Sequence, residues 1–315
     1  MVAQVPLGVF LSTFLSLLVA ACLQPSPPHA ACKLQLAQSR ERPVFMGVGV
    51  EDITIDCQDA ASPVTAHVIA IDLDSPGLSF ITSEPAGNQG DFDFELTTHF
   101  LMRSRSQVAF NANLFTNCCL YKRGQGVSSG QLLGLEVSEG RVSPGLRSDP
   151  DSPPAPYSTS LVVRGRAVRI LTAPPMDPSI SFAVTGSHAL VVDGRNIAPT
   201  DSAPDFFKPN PRTIVGLRAD NRKMWLVAVE GIDGTAGLTL PQAAEVMIEL
   251  GAASALNLDG GGSTSLAVDD GHGGAGLINV PSTGTPPCDY AVGSKCERYV
   301  GASFGIKAMA LPKRP

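Results

Sequence analysis

Ten consecutive residues, Asn257-Leu258-Asp259-Gly260-Gly261-Gly262-Ser263-Thr264-Ser265-Leu266, bring together a carboxylate, three glycines and three hydroxyl side chains. Glycine loses more conformational freedom on folding than any other residue, so a run of three marks a sharp turn or a close approach to a ligand. A plain Asp-Gly turn needs only one. Asp259 follows the apolar run Ala252 to Leu258. A carboxylate at a strand end faces out of its sheet, and amides without Cβ cover can approach a phosphate or an oxyanion. Ser263, Thr264 and Ser265 add hydroxyl donors.

Two templates do not fit. A Walker A loop needs a Lys after its glycines. Gly262-Ser263-Thr264-Ser265-Leu266 lacks the second glycine of a nucleophile elbow. Asp259, Asp269 and Asp270 could offer oxygens to calcium, but their spacing matches no EF-hand. The reading therefore expects no cofactor, with calcium as the one alternative. Zinc is not expected, because there is no CxxC pair and the histidines are scattered. His188 and His272 titrate in a useful range, but nothing around them supports a role, so they read as loop histidines.

The elements that must carry this loop are mostly short strands. Val64 to Leu73 alternates as a strand, and Leu78 to Thr82 reads as its hairpin partner across Asp74-Ser75-Pro76-Gly77. Phe94 to Arg103 reads as a short helix, and Gln107 to Asn111 as an apolar strand. Hairpin signals follow at Leu132 to Val142, Leu161 to Leu171, and Thr213 to Glu230 around Asp220-Asn221. Phe182 to Thr185 and Ala189 to Val192 continue the pattern. Thr239 to Leu250 is the clearest helix: Thr239 and Gln242 fit a capping box, Pro241 suits the first turn, and Gly251 is a left-handed stop. Ser254 to Leu258 is then a buried strand that delivers Asp259. The expected fold class is α+β, a strand-rich single domain with mixed sheets and a few helices.

Bulk properties narrow the function classes. The 315-residue chain carries a net charge of −6, with no basic run, so a nucleic-acid partner is not expected. Leu7 to Ala21 is apolar but shorter than the roughly 20 residues that span a bilayer. It reads as a targeting segment, so residues 1–31 form a signal peptide or lipoprotein signal and residues 32–315 the functional domain. Val19-Ala20-Ala21-Cys22 resembles a lipobox, which would anchor Cys22 to a membrane. The rival is cleavage near Ala30 or Ala31, and no Lys or Arg precedes the apolar run. Either route places the protein in the periplasm or outside the cell, where disulfides persist. Proximity suggests Cys32–Cys57 and Cys288–Cys296, leaving the adjacent Cys118 and Cys119 as a vicinal pair.

Five blocks together resemble the phosphodiester glycosidase family. They are Ala109 to Phe115, Pro211 to Gly216, Val227 to Gly231, Gly237 through the glycine loop, and Glu297 to Val300, within roughly Val64 to Ala310. The family includes exported bacterial proteins and an enzyme that removes N-acetylglucosamine from a phosphodiester on mannose. The resemblance implies an exported glycosidase acting on a glycosyl phosphodiester or a related envelope or extracellular glycan. Asp259 and Glu230 would form the carboxylate pair, with Glu297 in reserve. Arg212, beside Thr213, and Arg298 would grip phosphate oxygens. Gly260, Gly261, Gly262, Ser263 and Thr264 would supply donors. Asn111 and Asn257 would bind sugar hydroxyls or orient a carboxylate. Two departures stand out. Asn113 and Leu114 replace glycines and an aromatic, and Ile232 replaces an Arg whose charge Arg195, Arg218 or Lys208 would have to supply. They motivate the alternative of a non-catalytic glycan- or anion-binding module.

Overall fold

The computed structural model describes residues 32–36, 41–57, 63–86, 91–117, 128–143, 145, 157–174, 177–200, 208–231, 236–282, 291–292 and 295–312. Strands dominate, as the short alternating segments require, and two α-helices stand among the described residues. The proposed signal, Cys22, Cys118, Cys119, Ile232 and Cys288 lie outside the described residues. Cys32 and Cys57 are joined and face each other across paired strands. Cys296 is also disulfide-bonded. None of the described helices is long and apolar enough to cross a membrane.

The largest sheet has nine strands. Its centre runs Val48–Cys57, Val64–Asp72, Lys223–Val229, Arg212–Leu217, Ser254–Asn257, His188–Val192. One face packs on two five-stranded sheets through Ile69, Ile71, Val215, Leu217, Leu256, Phe110 and Phe304. The other face, with Ile214, Val227 and Ala255, lies under helix α2, which spans Leu240–Glu249 and buries Ala243, Ala244 and Met247 against it. Strands at the centre are apolar on both sides because both sides are covered. The capping box forms as expected: Thr239 accepts from the Gln242 amide, and Gln242 reaches back to the Thr239 amide.

The sheets are not mixed. Every described pairing is antiparallel. The physical reason lies in the connections. Parallel neighbours need long crossovers, and among the described residues the one helical crossover within this sheet is α2, leading from Lys223–Val229 to Ser254–Asn257. Those two strands do run the same way, but the Arg212–Leu217 strand lies between them and pairs antiparallel with both. The hairpin expected at Asp74 to Gly77 also fails. Ser79–Thr82 leaves the first sheet and pairs with Ser303–Lys307, because its neighbours Phe80 and Phe304 stack in the core between sheets.

Helix α1 spans Thr97–Ser104, later than expected, because Phe94 and Glu95 are held in extended pairing with Ser128 and Val300. Its N-cap residue is Leu96, whose side chain has no oxygen to offer. The acceptor comes from 199 residues away: Glu297 takes the Thr98 amide at 3.0 Å and the Thr98 hydroxyl at 2.6 Å. Glu297 is buried, and that burial lifts its carboxyl to about 7 against the pull of the Thr98 contacts. This residue therefore serves the helix terminus. Glu297→Ala should destabilise the protein by about 1–3 kcal/mol, the cost of leaving buried donors unpaired. Glu95→Ala, which breaks a surface pair with Arg103, should cost about 0–1 kcal/mol. Urea midpoints of the two variants check the contrast.

Candidate active site

The glycine loop is the crossover between two stacked sheets. The chain leaves the nine-stranded sheet at Ser254–Asn257, passes Asp259 and the glycines, and enters a five-stranded sheet at Leu266–Asp269. Leu258 still bonds the Thr213 carbonyl, whereas the Asp259 amide has switched to the Ala112 carbonyl, just past the end of the second sheet's central strand, Val108–Asn111. Gly260 backs onto the neighbouring strand so closely that a Cβ there would stand 2.8 Å from the Pro211 carbonyl oxygen. Gly261 takes φ +58°, a left-handed conformation that favours glycine. Gly261–Ser263 then makes one tight 3-10 turn.

Asn111, fully buried, ties the crossover together. Its Nδ2 donates to the Asp259 carbonyl at 2.7 Å, and its Oδ1 accepts from the Thr213 hydroxyl at 2.6 Å and the Ser265 amide at 3.1 Å. One amide group thus joins three segments, and its polar atoms face protein partners. Asn257 lies on the other side. Its Nδ2 donates to Ser187 Oγ at 2.9 Å and to the Leu258 carbonyl at 2.8 Å. Asn257 Oδ1 and the hydroxyls of Ser263, Thr264 and Ser265 are buried with no hydrogen-bond partner among the described residues. Buried polar groups in folded proteins are nearly always satisfied, so this concentration of hydroxyls suits a polar ligand.

Asp259 is 8% exposed, and its Oδ1 accepts from the Gly260 amide at 2.9 Å. Tyr157 is close enough to respond: burial first, then the Asp259 charge, raises its phenol above the ordinary value. Arg212 is 3% exposed, and its desolvation lowers the guanidinium to about 10, which leaves it charged at neutral pH. Its Nε donates to the Leu238 carbonyl at 2.9 Å and an Nη to the Lys208 carbonyl at 3.0 Å. His188 pairs in register with Asn257. Burial and then the Arg212 charge push its imidazole down to about 4. His188 is a strand residue beside the crossover, not a loop histidine. Sequence patterning placed its strand one residue late and gave no sign of its neighbours.

The remaining candidates divide. Glu230 ends the Lys223–Val229 strand, with the Arg212–Leu217 strand between it and Asp259. Two strand spacings separate their backbones by roughly 10 Å. Glu230 accepts from His67 Nε2 at 2.9 Å and from the Val280 amide at 2.8 Å. His67 carried no sequence signal, because only strand register brings it there. Arg298 is half-buried and makes no ion pair or hydrogen bond among the described residues. Arg218 sits at the opposite end of the Arg212–Leu217 strand, bidentate on Asp220, and Arg195 is exposed on the edge strand. Of the three replacement cations, only Lys208 lies on the Arg212 side. Asn113 is absorbed by the fold: it donates to the Leu133 and Leu135 carbonyls and accepts from the Thr185 amide. Asp269 and Asp270 accept amides of their own turn, from Gly271, His272 and Gly274. The described residues contain no group of three or more side chains suited to a metal.

A model of the family described as phosphodiester glycosidase matches residues 127–307. No curated protein matches the sequence. Among solved structures, the catalytic domain of zebrafish N-acetylglucosamine-1-phosphodiester alpha-N-acetylglucosaminidase, auto-inhibited by its pro-peptide, is similar with a TM-score of 0.60. Identity is 20%, and the match covers 88% of each chain. A hypothetical protein from Synechocystis is similar with a TM-score of 0.52 at 16% identity, over 89% of this chain and 68% of that one. Likeness at these identities concerns the fold.

The clamp makes a direct prediction. Asn111→Ala should remove three hydrogen bonds at once and cost about 2–4 kcal/mol. The loss should appear as a lower thermal midpoint together with faster amide exchange at Ser265. Unchanged exchange there would show that the loop holds itself.

Proposed function

This chain belongs to the phosphodiester glycosidase family, and we propose that it is an exported hydrolase of a glycosyl phosphodiester or a related envelope or extracellular glycan. The observation that carries the reading is the crossover itself. A buried carboxylate, Asp259, stands beside unsatisfied buried hydroxyls and close to a charged, desolvated arginine. Such a site suits an anionic substrate whose reacting bond lies next to a phosphate.

In this mechanism water adds at the anomeric carbon while the C1–O bond breaks, and the phosphate-bearing oxygen leaves as a phosphomonoester. That leaving group is weakly basic, so one carboxylate can suffice. Asp259 acts at the anomeric centre, as base or nucleophile, with its Oδ1 oriented by the Gly260 amide. The Ser263 and Thr264 hydroxyls receive substrate oxygens, because the Gly260 and Gly261 amides already donate to Asp259 Oδ1 and the Pro211 carbonyl. Arg212 contributes positive charge in a dry setting rather than a bidentate fork, because two of its donors already hold the Leu238 and Lys208 carbonyls. Glu230 is the second carboxylate and Arg298 a contact for the departing phosphate. Asn111 and Thr213 act by holding the loop. Export is supported by the apolar segment Leu7 to Ala21 and by the oxidised Cys32–Cys57 pair.

A panel of glycosyl-1-phosphodiesters tests the reading. The wild-type protein should release a phosphomonoester from at least one of them. Asp259→Asn should lower kcat by about 100-fold or more with an unchanged circular dichroism spectrum. Saturable binding without release of product would assign the non-catalytic reading instead. EDTA should leave the rate unchanged, and a rate restored only by calcium would reinstate a metal.

A further inference from the structure

His67 lies on the Val64–Asp72 strand, two strands removed from Arg212. Both of its ring nitrogens face carboxylates: Nδ1 is 2.6 Å from Asp52 Oδ1, and Nε2 is 2.9 Å from Glu230 Oε1. Asp52 comes from the strand on one side, Glu230 from the end of the strand on the other. Ionised carboxylates only accept hydrogen bonds, and a neutral imidazole has a single N–H. Only the imidazolium satisfies both partners.

Glu230 is also a junction. The oxygen that meets His67 accepts the Val280 amide at 2.8 Å. The preceding residue, Asn279, is fully buried and reaches the glycine loop. It accepts from the Leu266 amide and donates to the Thr264 carbonyl, each at 2.8 Å. We infer that His67 is a positioning residue: as an imidazolium gripped by Asp52, it holds Glu230 as an ionised carboxylate and, through Val280 and Asn279, braces the far end of the glycine loop. The assignment rests on the functional reading above and adds a pH dependence to it.

The sign follows from the partners. Burial pulls the imidazole down, but hydrogen bonds to Glu230 and then Asp52 outweigh it, leaving the group above its ordinary 6.5. A histidine raised on folding contributes its full stabilisation below its unfolded value and loses it as pH rises through the folded one. The brace is therefore complete in mildly acidic solution and fails on the alkaline side. Neutral His67 keeps one donor, and the shorter Asp52 contact retains it.

Two measurements on the full protein test this. In the first, NMR follows the His67 ring through a pH titration in wild type, Asp52→Asn and Glu230→Gln. The ring should titrate above 6.5 in wild type and lower in each variant. The same titration in all three overturns the proposal. In the second, kcat/KM is followed against pH on a hydrolysed glycosyl phosphodiester. Its alkaline limb should coincide with the His67 titration and move to lower pH in Asp52→Asn. His67→Gln offers an amide donor but gains no proton, so that limb should vanish. A limb retained at the wild-type position overturns the proposal. If no phosphodiester is hydrolysed, the functional reading fails alone. Amide protection at Leu266 then serves in place of the rate: it should fall across the His67 titration in wild type and stay level in His67→Gln.

Discussion

The structure depends on a crossover between two stacked sheets, made where a backbone has no room for side chains. At Asp259 the chain exchanges a partner in the nine-stranded sheet for one in the sheet below. Every amide in such a transfer has to find a new acceptor in the protein interior, where an unmade hydrogen bond costs about 1–3 kcal/mol. Asn111 answers this with one side chain that serves the loop's entry, its exit and the adjacent strand. The glycines answer it sterically, since Gly260 lies against Pro211 and Gly261 needs a left-handed turn. The hydroxyls of Ser263, Thr264 and Ser265 and the Asn257 Oδ1 are then the polar groups this packing leaves over, which is what makes them informative about a ligand.

Charge is distributed around this crossover by strand register. Side chains alternate between faces, so a slip of one residue would invert every assignment. Arg212 shares its face with Ile214, on the helix side of the sheet; His67 shares its face with Ile69 and Ile71, on the opposite side. The arginine thus acts beside His188 and Asn257, and the Asp52–His67–Glu230 array acts beside Val280. The glycine loop adjoins the first group directly and connects to the second through Asn279 and Val280. A site assembled this way needs no single element to carry two reacting groups. It needs the sheets to hold their register, and a core filled on both faces enforces that.

Much of this was legible in local sequence. The capping box at Thr239, the hairpin around Asp220-Asn221 and the apolar strand before Asp259 follow from propensities acting within a few residues, and each appears where expected. The glycine run announced a sharp turn for the same reason, though not that the turn joins two sheets. What escaped was long-range pairing. Ser79–Thr82 joins Ser303–Lys307 because Phe80 and Phe304 meet in the core, and no turn sequence encodes that. Sheet direction escaped too, because a helical crossover suggests parallel neighbours and only the intervening Arg212–Leu217 strand separates them. Glu297 read as a reserve catalytic acid, yet it completes a helix whose own N-cap is a leucine.

Histidines show most sharply what pattern reading lacks. His188 and His67 sit in strands whose alternation is unexceptional, and one departs from its ordinary protonation downward, the other upward. Burial opposes charge in both. The difference is the partner: a guanidinium near His188, two carboxylates around His67. Neither partner is close in sequence, since Asp52 is 15 residues from His67 and Glu230 is 163. The same residue type in the same kind of strand therefore becomes a neutral neighbour of Arg212 in one place and a cationic brace in the other. The fold decides between them through which strand ends it brings level. In this architecture, the chemistry of a residue is fixed less by its own segment than by the antiparallel neighbour it is given.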